Sequence, residues 1–81
     1  MPYISQKRRA WLEDHNPEEV GDLNYIFTKI TLSYLANHPA KYQTINDIMG
    51  ALESCKQEFY RRVAVKYEEY KRNEHGDVYE V

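Results

Sequence analysis

The chain has 81 residues, a formal charge of -2, a single cysteine and no apolar run long enough to cross a bilayer. These facts exclude an intramolecular disulfide, a multi-cysteine zinc site and a broad affinity for nucleic acid, which draws most of its energy from a strongly basic face. A chain of this length forms one small domain whose core supplies only a few kcal/mol, and with neither disulfide nor metal to staple it the natural supplement is a partner.

In chain order, Met1 to Ile4 (1–4) read as an extended arm, because Pro2 blocks early helix while Tyr3 and Ile4 offer apolar anchors. Ser5 then caps a short first helix, 5–15, that carries Lys7, Arg8 and Arg9 ahead of Trp11 and Leu12. Cations near a helix N-terminus oppose the macrodipole, so this trio is either a solvated basic turn or is placed for contact with an anion. The region 16–37 forms a second helix. Asn16-Pro17-Glu18-Glu19 opens one turn, Asp22 can cap the main body, and Leu23, Ile26, Phe27, Ile30, Tyr34 and Leu35 mark its apolar face. Pro39 enforces its end by disfavouring helical geometry at His38.

A short connection leads into the dominant element, a long helix over 44–73, and a link this short predicts that the two helices lie as antiparallel neighbours. Thr44 and Asp47 suit a capping box. Lys71 and Arg72 suit the last turn, and Gly76 can adopt the positive φ that closes it. Ile45, Ile48, Met49, Leu52, Cys55, Phe59, Val63, Tyr67 and Tyr70 recur every three or four positions, which makes one apolar stripe. At 1.5 Å per residue the helix is about 45 Å long, against about 30 Å for a compact domain of this size, so one copy cannot cover it. Gly50, costly in mid-helix, predicts close approach of a neighbouring helix or a ligand. The last residues, 74–81, form a tail with Val78 and Tyr79 as anchors. The expected fold is therefore all-α: a small helical hairpin with a short N-terminal helix and one long C-terminal helix, homo-oligomeric, with Phe59, Val63, Tyr67, Tyr70 and Trp11 at the interface.

Catalysis needs a nucleophile with a base, a metal site, or carboxylates held at different pKa values. None is readable. His15, His38 and His75 lack metal-ligand spacing and suit surface or capping roles, Cys55 suits packing within the stripe, and no cofactor is implied. Eight tyrosines fit subunit boundaries and ligand pockets, where a ring can be covered while its hydroxyl stays at a polar edge. Lys56, Tyr60, Arg61 and Arg62 place three cations and a ring within two turns. That set suits a phosphate with an attached base, since guanidinium takes phosphate bidentately and tyrosine stacks on the base; it equally suits the rim of a helical interface. The sequence thus predicts a cytoplasmic, non-enzymatic oligomer that captures a small anionic, nucleotide-like ligand with these residues and Lys7, Arg8 and Arg9. The alternative is a factor that docks on another protein.

The segments MPYI, GDLNYI, YQTINDIMGALE, KQEFYRRV, YEEYK and GDVYE resemble a family of short uncharacterised proteins from tailed bacteriophages and their bacterial hosts, over nearly the whole chain. The resemblance brings no activity and no site residue. It implies a setting, that of accessory factors which alter host physiology or counter host defence by blocking a protein or sequestering a nucleotide signal.

Overall fold

The computed structural model describes residues 1–79, and all regular structure among them is helical. The elements are α1 (Gln6–Trp11), α2 (Val20–Ala36), α3 (Tyr42–Phe59), a π turn (Tyr60–Ala64) and α4 (Val65–His75). The all-α class and the long C-terminal helix are as expected, with helical backbone unbroken from Tyr42 to His75. The chain divides into two compact units, Met1–Ile45 and the residues from Asn46 onward.

The first unit is organised around Asp22, which is only 1% exposed. Its carboxylate accepts from Arg8 at both oxygens, Nε to Oδ1 at 3.0 Å and Nη2 to Oδ2 at 2.6 Å, and from the backbone N–H groups of Glu18 and Glu19 at 3.1 Å each. One side chain therefore joins α1, the connecting segment and the start of α2. The helical turn expected at Pro17 to Glu19 does not form, because those N–H groups point to Asp22. Helix α2 begins at Val20 with Glu19 as its N-cap, and Asp22, expected as the cap, sits three residues inside as the return arm of a capping box. The same contact answers the unfavourable charge order of α1. Arg8 is neutralised by a buried partner where the macrodipole alone would repel it.

Ser5 does cap α1, accepting the Arg8 N–H at 3.1 Å, but the helix ends at Trp11 rather than near His15. The cause is local. The His15 ring bonds the Trp11 carbonyl at 2.8 Å and stacks on the indole with centroids 4.1 Å apart, closing the helix one turn early. His38 repeats the device at the end of α2, bonding the Tyr34 carbonyl at 2.7 Å and stacking on its ring at 3.8 Å. The N-terminal arm lies over the first turn of α2: a Cβ added to Gly21 would stand 3.2 Å from Cγ2 of Ile4. Arg9 fixes the arm, donating from Nε to the Ile4 carbonyl at 3.0 Å. Leu12 is the buried apolar residue of this unit, at 8% exposure.

Helix α3 starts at Tyr42, two residues before the expected Thr44 cap. Thr44 is instead inside the helix and buried, its hydroxyl donating to the Pro39 carbonyl at 2.6 Å, so it ties down the connection rather than ending the helix. The second unit is one helical rod from Asn46 to His75, interrupted by the π turn, in which the Val65 N–H reaches back five residues to the Tyr60 carbonyl. Gly76 ends the rod with φ 89° and donates its N–H to the Arg72 carbonyl at 2.8 Å. After it Asp77 accepts the Tyr79 N–H at 2.9 Å; the rest of the expected tail, Glu80 and Val81, lies outside the described residues. No side chain is buried in the π turn or α4, and the one buried residue of α3 is Thr44. Gly50 has open space within the single chain, with no atom of the described residues within 4 Å of an added Cβ.

Two predictions follow from these contacts. Arg8 holds the Asp22 carboxyl well below the usual carboxylate range, helped by the two backbone N–H groups and opposed by burial. The unfolded state therefore binds its proton first: the stability from this contact is complete above about pH 4 and declines as the pH falls further toward the folded-state value. Asp22→Asn should lower the thermal midpoint at neutral pH and flatten its acid decline, as read by circular dichroism. Gly50→Ala should raise helix stability by about 1 kcal/mol, seen as a higher thermal midpoint.

Candidate ligand-binding site

The candidate residues fall into two sets, one in each unit. In the first, Arg8 is bound to Asp22 and to Glu18 at 3.4 Å, and its guanidinium lies 4.2 Å from the Trp11 ring centroid. Asp22 in turn holds the Arg8 proton more firmly than an isolated guanidinium would. Arg9 is engaged with the Ile4 carbonyl and lies 5.6 Å from the Tyr25 ring centroid. Lys7 is exposed. Two of the three cations of this set thus have internal work, and Trp11 is half-buried between Arg8 and His15.

The second set surrounds the π turn. Arg61 donates from Nη2 to both oxygens of Glu58 at 2.9 Å, Arg62 lies 3.9 Å from Glu58, and Lys56 lies 3.9 Å from Glu53. All these side chains are more than half exposed, so each pair is worth a few tenths of a kcal/mol and is readily exchanged. Tyr60 and Arg61 line one open hollow of about 540 Å³ together with Glu53, Ser54, Gln57, Glu58 and Val65. Lys56 and Arg62 are not among its walls. Two carboxylates and one guanidinium give this hollow an acidic balance, so an anion entering it must first release Arg61 from Glu58 or bring in cations from elsewhere.

The π turn also bears on the apolar stripe. A loop closed five residues back contains one residue more than an α turn, so everything after it is rotated by about 100° relative to an uninterrupted helix. Tyr70, which the sequence aligns with Leu52, is swung about 100° away from it, while Tyr67 comes within about 40°. The single stripe expected through Tyr70 is therefore broken at the turn. Hydrogen-bond pattern, unlike apolar spacing, leaves no signal in residue type, which is why the sequence does not announce it. Met49, Leu52, Phe59, Val63, Tyr67 and Tyr70 are exposed, at 62, 42, 64, 51, 62 and 62%. Among the described residues no cluster of three or more His, Cys, Asp or Glu is placed to hold a metal ion, and no helix is long and apolar enough to cross a membrane.

Residues 1–78 match a family described as a domain of unknown function, DUF6899, and the chain belongs to that family. This agrees with the short uncharacterised family expected from the sequence. No curated protein and no solved structure matches the chain.

Proposed function

We propose that this family member is a non-enzymatic binding protein that works as a homo-oligomer, its long helix covered by another copy, and holds a small anionic, nucleotide-like ligand between subunits. The observation that carries the reading is the second unit itself. It presents Met49, Leu52, Phe59 and Tyr67 to solvent on a rod with no buried side chain of its own. Helices in proteins draw most of their stability from packing an apolar face, and an apolar row left bare on so long an element calls for an occupant.

The ligand reading rests on Tyr60, Arg61 and Arg62. Tyr60 and Arg62 are two residues apart, which turns them to roughly opposite sides of one helix, so a site using both takes them from different copies. Cations of a second copy would also offset the acidic balance of the Tyr60 hollow. In a phage setting such a protein would sequester a nucleotide signal. The alternative, docking on a host protein, is favoured by a separate observation: Lys56, Arg61 and Arg62 each already lie within 4 Å of a carboxylate, as at a solvated interface rim.

Sedimentation at micromolar concentration should show an assembly larger than the single chain, and a monomer would remove the intersubunit site. Phe59→Ala should dissociate it, by loss of a covered ring worth about 3 kcal/mol or more. Arg62→Ala should leave the assembly intact and weaken binding of cyclic or linear nucleotides by about 2 kcal/mol in calorimetry. No heat with any nucleotide of such a panel from an assembly that sediments intact, together with a host protein recovered in a pull-down, would decide for the docking alternative.

A further inference from the structure

The charges of the long helix are not evenly spread along it. From 46 to 60 it carries three carboxylates, Asp47, Glu53 and Glu58, against one cation, Lys56, a balance of -2. From 61 to 75 it carries five cations, Arg61, Arg62, Lys66, Lys71 and Arg72, against Glu68, Glu69 and Glu74, a balance of +2 with histidine neutral. The division falls at the π turn, at the midpoint of the rod. The apolar residues divide at the same place. Ile48, Met49, Leu52 and Phe59 precede the turn, whereas Tyr67 and Tyr70 follow it.

We infer that two copies pair antiparallel along residues 46–75, about a two-fold axis that crosses the π turn, so that the acidic half of each rod lies on the basic half of the other. The inference rests on the self-association proposed above and adds its direction and its centre. A parallel pair would set the -2 half against -2 and the +2 half against +2, with like charges opposed along both halves. The antiparallel pair reverses each of these terms and also opposes the two helix macrodipoles. It places the aliphatic and thioether side chains of one copy over the tyrosines of the other, a pairing in which sulfur against ring is itself favourable. In a parallel pair the first halves would bury their apolar residues together, and the second halves would meet mostly through charge.

The axis position gives the π turn a role. Each copy changes helical phase by about 100° at the turn. In a two-fold antiparallel pair the change falls at the shared centre, so the part of one helix before its turn runs along the part of the other after its turn. Both halves of the interface are then equivalent by symmetry, and Tyr67, which the turn brings to within about 40° of the Leu52 line, meets the partner's row while Tyr70 lies at its edge.

The test uses spin labels at two exposed positions near the ends of the rod, Asn46 and Asn73. They are carried separately by the N46C and N73C variants of the full chain, with the native cysteine removed by C55S. In an antiparallel pair, labels at the same position on two copies lie about 40 Å apart along the axis. A mixture of the two variants gives a short distance, about 10 Å between packed helix axes plus the label arms. A parallel pair gives short distances within each variant and the long one in the mixture, which would overturn the inference while leaving self-association in place. Sedimentation of the same samples separates the other failure: monomers, with no intermolecular distance in any sample, would overturn the self-association on which the inference stands.

Discussion

The first unit depends on one carboxylate. Asp22 is buried to 1% exposure in a unit whose buried apolar content is Leu12, and it is tolerated there because every approach to it is a donor: two from Arg8, two from backbone N–H groups. A buried ion pair of this kind is a poor source of net stability but a strong specifier of geometry, since any misplacement of α1 leaves a charge without its partner. That geometry settles several neighbours together. It sets where α2 begins, why Pro17 does not start a helix, and where the arm and Gly21 meet.

The second unit has no counterpart to this contact: among its described residues no side chain is buried. Its helix is held internally by backbone hydrogen bonds and by exposed pairs such as Glu58 with Arg61 and Lys71 with Glu74, which add a few tenths of a kcal/mol apiece. Those terms support a helix without fixing where it goes. Its apolar row and the change of charge at the π turn are the features on which the proposed pairing rests. The proposed function therefore draws on this unit.

Much of this was legible in the residues and some was not. Ser5, Gly76 and the apolar periodicity after Thr44 gave true ends and a true helix, because capping and spacing are local. Asp22 and Arg8 misled for the same reason. Read locally they are a cap and a basic turn, whereas their roles are set by each other across fourteen residues. The histidines were readable as capping residues but not as the cause of the early end of α1, which requires the ring to stack on Trp11 as well as bond its carbonyl. Of the candidate site, the clustering of Lys56, Tyr60, Arg61 and Arg62 could be read from spacing. The pairing of Glu58 with Arg62, four residues on, is readable from the same spacing, whereas the turn that splits the stripe depends on hydrogen-bond register.

The proposed pairing makes the stability of the long helix depend on another copy, and backbone hydrogen exchange at increasing protein concentration measures that dependence. Protection of amides in 46–75 should rise with concentration while that of α1 and the start of α2, held by Asp22 within one chain, changes little. Protection of 46–75 that stayed constant from nanomolar to micromolar concentration, at the level of a solvated helix, would contradict that dependence.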